Sequence, residues 1–484
     1  MPFNRRAVLA FLSTTLWPLR TLGEERVAPL SRQSEPASSA AAARPSLADD
    51  GFTVLEAKKG TIRLAPDAAH ETEVWGFDGQ VPGPLLRLKK GAELKVRLLN
   101  RLDQPVTLSW QGVRGPNAMD GVGGLTQAPV KPGESFDVRF TPRDSGLFWY
   151  HSHVWPHTAE QTARGLYGVV IIDELEPPPA DEEVLLVLDD WSLDAQSQIE
   201  ADFGDSEQAG HGGRIGSLIT VNSSPAPLIS AMRPGSRVRL RLLNACHARI
   251  VTVTFAGAHP QVQAIDGQPC EIFEPVRQTL PVGPGARFDV MLDLPSEARK
   301  EVRLVSRREG EPDQPLLVLT TEGAPRKPRE PVAGLPANPA LPSAIPLERA
   351  LKMDVVIDGG AKSASAKAVA GAAADPAKLW TINGIASDGV SGKPLFRVKR
   401  GEAVSLAFVN KSAFPQQIQV RGHAFRLLHD LDDGWEPYWR DAVLIAPGRT
   451  KHVAFVADNP GKWAIESLIL ERQVTGLATW FEVG

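Results

Sequence analysis

The sequence predicts an all-β protein made of three Greek-key β-sandwich domains in tandem. At 484 residues the chain is too long for one ordinary core, and typical domain sizes suggest about three domains. It contains 42 glycines and 41 prolines, and its apolar residues fall in many short runs rich in Val, Ile and Leu. This composition is typical of many strands joined by turns.

One sequence phrase recurs three times, which indicates an internal triplication. Each copy begins near a Pro-Leu pair and ends on an asparagine that closes an apolar strand, at residues 83–100, 227–244 and 394–410. A Pro-Gly turn and an alternating strand follow each copy, at residues 132–140, 284–290 and 447–455. Alternation at period two marks half-buried strands, and the glycine turns suit hairpins. Each copy is therefore expected to form one Greek-key sandwich.

Breaks in the strand pattern predict the domain boundaries. Proline-rich stretches at 176–179 and 325–346 indicate linkers, and an Ala/Gly/Ser/Lys-rich patch at 359–374 indicates a mobile loop. The expected divisions are an export signal and disordered lead-in (1–48), a first domain (49–176), a second domain (180–324), a proline-rich linker (325–348) and a third domain (349–484).

The amino-terminal residues predict export from the cytoplasm. Arg5 and Arg6 precede a short apolar stretch that ends near Leu19, which resembles a twin-arginine signal; the alternative is a chance arginine pair. The stretch is too short to cross a bilayer, and no other segment approaches about 20 apolar residues. We therefore expect a periplasmic protein with no transmembrane segment in the mature chain.

Charge and cysteine content restrict the partners further. The net charge is −4, and no long basic run of the kind used by nucleic-acid-binding proteins is present, so nucleic acid is not an expected partner.

The two cysteines, Cys246 and Cys270, could pair in an oxidising periplasm or could both stay free and buried. The sequence leaves these two alternatives open.

Motifs at both ends of the chain resemble the multicopper oxidases. In the first half they are residues 109–112, 119–121, 126–130, 148–153 and 165–168; in the second half they are 422–425, 440–441, 447–448, 461–463 and 476–477. The resemblance implies cupredoxin-like domains. It also implies four His-x-His pairs that cage three coppers, and a separate copper held by a cysteine thiolate, two histidines and a weak axial methionine.

The chain departs from this family pattern at most ligand positions. By the resemblance, the second histidine pair remains as His151 and His153. The third motif also keeps one histidine, His423, but the family does not use that position as a copper ligand. The other ligand positions hold Ser109, Gln111, Gln416, Gln419, Arg421, Glu466, Ser467 in place of the cysteine, Leu468, Arg472 and, at the axial position, Leu477. Amides, alcohols and guanidinium groups do not suit copper as imidazole and thiolate do.

These losses lead to three functional hypotheses. The first is a non-catalytic periplasmic scaffold or interaction protein that supports cell division or envelope integrity, with no cofactor and with an envelope protein as its unidentified partner. In export type and ligand loss the chain resembles copper-depleted members of the family, of which the cell division protein FtsP is one. The second is a copper-dependent oxidoreductase of laccase type, and the third is a weak metal-binding protein.

The metal-binding hypothesis depends on the remaining histidine pair. His151 and His153 project to one face of a strand, and His157 with Glu160 follows in the next turn, so together they could bind a transition metal. The alternative is that the pair is hydrogen-bonded inside a domain interface and that His157 lies on the surface. We take His151 and His153 as the candidate metal residues.

A final expectation concerns what fills the copper cage. The resemblance places Arg421 and Glu466 beside His151 and His153, so we expect the guanidinium to pair with the carboxylate. The alternative is that both side chains turn outward to solvent or to separate partners.

Overall fold

The computed structural model describes residues 46–65, 70–308, 310, 312–361, 378–390, 392–429 and 434–484. The predicted export signal, nearly all of the lead-in and most of the predicted loop at 359–374 lie outside this part of the chain. Within it the protein is nearly all β, with mixed, open sheets. The predicted fold class is therefore confirmed.

The described residues of the first sandwich form nine strands. They are β1 (Ser46–Leu47), β2 (Thr53–Ile62), β3 (Thr72–Phe77), β4 (Gly83–Lys89), β5 (Leu94–Asn100), β6 (Ser109–Gln111), β7 (Ser135–Phe140), β8 (Gly146–His151) and β9 (Tyr167–Asp173). One sheet has the order β1-β2-β5-β7, with β3 paired to β2, and the other has the order β4-β9-β8-β6.

In the second sandwich, twelve strands lie within the part of the chain that the structure describes. They are β10 (Glu182–Trp191), β11 (Leu218–Val221), β12 (Ser224–Pro225), β13 (Leu228–Met232), β14 (Arg237–Asn244), β15 (Val251–Ala256), β16 (Gln261–Ile265), β17 (Gln268–Phe273), β18 (Thr279–Val282), β19 (Arg287–Asp293), β20 (Glu301–Ser306) and β21 (Gln314–Thr321). Their sheets have the orders β12-β11-β10-β14-β19-β16-β17 and β13-β21-β20-β15-β18.

The third sandwich contains the remaining strands. They are β22 (Leu351–Gly359), β23 (Trp380–Ile382), β24 (Arg397–Val398), β25 (Ala403–Asn410), β26 (Gln416–Val420), β27 (Phe425–Leu428), β28 (Trp435–Arg440), β29 (Ala442–Ile445), β30 (Thr450–Val456), β31 (Gly461–Ser467) and β32 (Ala478–Val483). Their sheets have the orders β23-β22-β25-β30-β27-β28 and β24-β32-β31-β26-β29.

The helices of the described residues are short. They are α1 (Thr158–Ala163), α2 (Ser206–Gly210) and α3 (Leu470–Val474), with 3₁₀ turns at Asn117–Met119, Val276–Gln278 and Leu347–Arg349. Among the described residues, none of the helices has the length and apolarity that a membrane crossing requires.

Each sandwich is held together by an apolar cluster that both of its sheets share. In β5 the alternation of buried and half-buried positions places Leu94, Val96 and Leu98 inward. They pack in the same cluster as Phe148 and Val170 from the facing sheet. The second and third sandwiches have equivalent clusters of their own. The predicted domain boundaries themselves stay a prediction.

The triplication predicted from the sequence has a structural counterpart at three asparagines. Asn100, Asn244 and Asn410 end equivalent strands and are all buried. In each, the side-chain oxygen accepts from the backbone N–H two residues later, and the amide donates to backbone carbonyls, including those of Val130, Val282 and Ile445. An unpaired buried backbone group is costly, so each amide closes a turn that would otherwise be unsatisfied.

The cysteine alternatives are resolved by the structure. Cys246 and Cys270 are both buried and both free thiols. No disulfide joins them.

Candidate site between the first and third sandwiches

Strand register brings the candidate residues to one interface. In the first sandwich, Ser109 lies opposite His151 across the β6–β8 pair. In the third, Gln419 lies opposite Glu466 across the β26–β31 pair. Because alternate residues of a strand share a face, Gln111 projects with Ser109. All five residues are buried.

Arg421 reaches across this interface from the end of β26. Its Nε lies 3.0 Å from Asp120 Oδ2 and its Nη1 lies 3.0 Å from Gln111 Oε1. Its Nη2 donates to Ser109 Oγ and, at 3.2 Å, to Asp120 Oδ1. The same Nη1 lies 3.5 Å from Glu466 Oε1, and both side chains are 1% exposed. The predicted proximity of Arg421 and Glu466 is therefore confirmed, and neither side chain turns to solvent. Their shortest contacts are nevertheless with separate partners, as the alternative expected: Asp120 for Arg421 and His153 for Glu466.

The nearest carboxylate to Arg421 is that of Asp120, which lies in the motif at 119–121 but not at a ligand position of the family. Asp120 follows the 3₁₀ turn Asn117–Met119, and its carboxylate meets Arg421 in a bidentate contact. One feature of the sequence could have indicated a second acceptor such as Asp120. A buried arginine has five N–H donors, and a single glutamate that also bonds to a histidine cannot accept from all of them.

Glu466 has its shortest contacts with a histidine. His153 Nε2 lies 2.9 Å from Glu466 Oε2 and 3.1 Å from Oε1. The side-chain nitrogen of Gln473, on α3, lies 3.1 Å from the same ring nitrogen. His151 Nδ1 lies 2.8 Å from the carbonyl oxygen of Ser152, and its Nε2 lies 3.4 Å from Gln111 Oε1. Both histidines are therefore engaged within the interface.

Burial and neighbouring charges set the ionisation of this network. Burial alone would raise the pKa of Glu466, but His153 and Arg421 lower it to about 2. Burial would lower the pKa of Arg421, and the charges of Asp120 and Glu466 raise it instead. Burial, together with the electrostatic effect of the neighbouring His153 and Arg421, lowers the pKa of His151 to about 3. At neutral pH the interface holds a guanidinium, ionised Glu466 and a neutral His151 imidazole.

A second arginine occupies the other region where the resemblance expects copper. Arg472 Nη1 donates to Pro415 O at 2.6 Å and to Gln416 Oε1 at 3.0 Å, and Nη2 donates to His211 O at 2.7 Å. Its guanidinium carbon lies 4.6 Å from the ring centre of Trp380. Burial lowers the pKa of Arg472 to about 10. The guanidinium thus joins the third sandwich to the second.

The other residues in the region where the resemblance expects the separate copper have structural contacts within the third sandwich. Ser467 Oγ accepts from the backbone N–H of Ile469 at 3.1 Å, and Leu477 is fully buried in the third core. His423 packs against Phe455 and Trp463 in that core rather than at the interface.

The wider histidine cluster considered from the sequence does not form. Glu160 bonds to Arg164 and Gln104, and His157 precedes α1. Among the described residues, the single group of three or more His, Cys, Asp or Glu side chains close enough to share a metal ion lies elsewhere, in the second sandwich.

Comparisons with known proteins agree on one family. Two models described as multicopper oxidase match residues 58–177 and 364–484. A crystal structure of a multi-copper oxidase from Pseudomonas thermotolerans is 32% identical, covers 89% of this chain and 98% of its own, and superposes with a TM-score of 0.78. Lac15 from a marine microbial metagenome is 27% identical, with 90% and 100% coverage and a TM-score of 0.70.

A curated relative supports the same conclusion from sequence. The multicopper oxidase MmcO of Mycobacterium tuberculosis is 27% identical over 445 residues, which are 83% of this chain and 82% of the relative. These relatives contradict the expectation that the protein needs no cofactor, because they point to copper as the cofactor. That expectation was wrong, because it inferred the absence of a copper cofactor from the replacement of copper-ligand residues.

The donor set at the interface is nevertheless not that of a three-copper cluster. His151 and His153 are the imidazoles present, and the space between the strands holds the guanidinium of Arg421, which has no lone pair to offer a metal. Gln111 Nε2 and Gln419 Oε1 are buried without hydrogen-bond partners, and amide groups are poor ligands for copper. The described residues therefore do not fit such a cluster.

Proposed function

The chain belongs to the multicopper oxidase family, and we propose that it acts within it as an exported, non-catalytic interaction or scaffold protein of the cell envelope. The proposal concerns oxygen turnover. It makes no claim that the protein is free of copper.

The observation that carries the proposal is the position of Arg421. Its guanidinium is fixed by Asp120, Gln111 and Ser109 from the first sandwich and lies beside Glu466 of the third. A cluster of metal ions at the same place would have to displace a buried cation from its carboxylates, which is costly. The polar network instead joins the two sandwiches directly.

The surroundings of Arg472 support the same conclusion. Electron entry in the family needs a thiolate and imidazoles, and this chain has Ser467, Gln416 and the Arg472 guanidinium at those positions by the resemblance. A serine hydroxyl does not replace a thiolate as a copper ligand. With both sets of positions altered, the fold supports binding more readily than redox turnover.

The envelope location rests on sequence alone. Arg5, Arg6 and the apolar stretch after them favour twin-arginine export and a periplasmic protein, and these residues lie outside the described part of the chain. A role in cell division or envelope integrity follows from the resemblance to FtsP in export type and ligand loss. Crosslinking of the exported protein in cells, followed by identification of the captured envelope protein, tests that role.

The comparisons favour a second candidate, a copper-dependent oxidoreductase of laccase type. Relatives include proteins named multicopper oxidase, laccase and copper resistance protein. A metal site for this candidate, or for a protein that binds metal without turnover, would use His151 and His153. His153 would first have to leave Glu466 and Gln473.

Oxygen uptake by copper-loaded protein separates the two candidates. The full chain is reconstituted with copper, its copper content is measured, and oxygen consumption with a phenolic donor is recorded beside a turnover-competent relative. We expect uptake no faster than that of free copper, whatever copper content is found. Copper-dependent uptake that His151→Ala abolishes would establish the oxidase and overturn the proposal.

A further inference from the structure

A compact group of ionisable side chains, none of them at a copper position, lies where the second sandwich meets the first. Asp189 and Asp190 are near the end of β10, and Cys246 follows β14. One ligand atom from each lies within 4.8 Å of the others. Three such atoms at these separations are spaced closely enough to surround one metal ion.

The neighbouring groups hold these side chains in place and leave one carboxylate oxygen facing the thiol. The Tyr167 hydroxyl, from the first sandwich, donates to Asp189 Oδ2 at 2.6 Å, and the backbone N–H of Asp190 donates to Asp189 Oδ1 at 2.8 Å. Arg249 Nε and the backbone N–H of Gly216 each donate to Asp190 Oδ2 at 2.8 Å. The other oxygen of this carboxyl group, Asp190 Oδ1, accepts from no N–H or hydroxyl group although the side chain is 0% exposed, and the Cys246 thiol interacts with this carboxyl group.

A second polar oxygen lies in the same region. Ser223 Oγ is buried beside the phenol of Tyr167, and its interaction with that phenol acts against the rise in the pKa of Tyr167. A buried carboxylate oxygen that accepts from no N–H or hydroxyl group, such as Asp190 Oδ1, is uncommon and calls for a ligand, water or ion.

Charge balance points in the same direction. Two carboxyl groups and a thiol have two cations nearby: Arg249, which contacts Asp190, and Arg214, which is also paired with Asp202. Full ionisation of all three groups would therefore leave buried negative charge without compensation. Burial raises the pKa of Asp189, of Asp190 and of the Cys246 thiol, which favours protons on these groups when nothing else is bound. A divalent cation would supply the same compensation and displace those protons.

We propose that Asp189, Asp190 and Cys246 form a buried site for one divalent cation of the zinc type. A thiolate combined with two carboxylates suits a borderline cation such as Zn²⁺ better than Mg²⁺ or Ca²⁺, which prefer oxygen ligands alone. The free oxygen Asp190 Oδ1 and the sulfur of Cys246 supply the central ligands. Binding releases protons from the thiol and the carboxyl groups as the metal bonds form.

Cobalt(II) tests this site directly, because a cysteine thiolate bound to Co²⁺ gives a charge-transfer band in the near ultraviolet. Co²⁺ is added to the full chain after purification and, in parallel, during refolding from urea, so that burial does not prevent entry. We expect one thiolate-bound Co²⁺ per chain, its displacement by Zn²⁺, and a higher Tm with either metal.

Cys270 offers a matched control. It is a second free, buried thiol in the same sandwich, and its sulfur lies 3.8 Å from the carbonyl oxygen of Val262. We expect Cys270→Ser to keep the cobalt band and the Tm shift, and Cys246→Ser to lose both. Asp190→Asn should weaken binding even if Cys246→Ser fails to fold.

Two results would overturn the proposal. One is the absence of a thiolate band in folded wild-type protein under both loading protocols, which would mean that the group is a protonated, hydrogen-bonded cluster. The other is a band that survives Cys246→Ser. Binding of Co²⁺ at His151 and His153 alone would give no thiolate band, so it counts against the site.

Discussion

Arg421 and Glu466 lie 45 residues apart in the chain but place Nη1 and Oε1 3.5 Å from each other in a fully buried interface. Neither group is satisfied by the other alone. Arg421 is held by Asp120, and Glu466 by His153. The Arg421–Asp120 ion pair and the His153–Glu466 contact form one network that links the first and third sandwiches.

Glu466→Gln is expected to lower the free energy of unfolding by about 3 kcal/mol, because it leaves His153 and Arg421 with less compensating charge in a buried site. Urea unfolding of the full chain measures this change. The matched control is Glu482→Gln, which removes an exposed partner of Arg397 on the neighbouring strand β32 and should cost less than about 1 kcal/mol. Equal losses in the two variants would show that the buried network contributes nothing specific.

Exchanging the two charges should not restore stability. In the double variant Arg421→Glu, Glu466→Arg, the new glutamate would face Asp120, whose Oδ2 lies 3.0 Å from Arg421 Nε in the native protein. Two facing buried carboxylates repel each other. We expect recovery only when Asp120→Asn is added, and the urea midpoints of the double and triple variants decide the point. A double variant as stable as the native protein would mean that Asp120 is not the main partner.

The sequence was sufficient for the fold and for part of the site. The recurring asparagines at 100, 244 and 410 marked equivalent strands because their role is local: each bonds to backbone within its own turn or the adjoining strand. The Arg421–Glu466 contact was predicted because both residues stand at positions that the family keeps together.

Contacts outside the family's ligand pattern could not be predicted in the same way. Arg472 bonds to the carbonyl of His211, 261 residues away, and nothing in either segment signals the other. Asp189, Asp190 and Cys246 meet because β10 and β14 pair in parallel, so residues near the ends of both strands come together. Such contacts depend on how the elements pack, which local patterns do not specify.

His423 should make the protein less stable in mild acid. Burial lowers its pKa to about 4, so the folded protein keeps the imidazole neutral where the unfolded chain protonates it. Stability should therefore fall as the pH drops from about 6.5 to about 4, by up to about 3 kcal/mol from this group. Urea unfolding across this pH range should show a shallower dependence for His423→Phe than for the native protein.

The control for this pH effect is His259→Gln, since the His259 side chain is 78% exposed. That variant should keep the native pH dependence. If His423→Phe also keeps it, another group causes the loss of stability in acid.

Replacing Arg5 and Arg6 by lysine should retain the protein in the cytoplasm, because the twin-arginine pathway depends on the arginine pair. Cell fractionation with antibody detection measures the distribution. A paired control replaces Arg20 and Arg26, which lie beyond the apolar stretch, by lysine and should leave export intact. Unchanged export after the Arg5, Arg6 replacement would remove the twin-arginine interpretation and leave a chance arginine pair.

A crystal structure of the copper-loaded protein, with anomalous maps recorded at the copper edge, shows whether Arg421 or copper occupies the interface. We expect Arg421 to stay within hydrogen-bonding distance of Asp120, Gln111 and Ser109, with no cluster of copper ions between β8 and the β26–β31 pair. Three copper peaks there, with His151 and His153 as ligands and Arg421 displaced, would contradict this expectation.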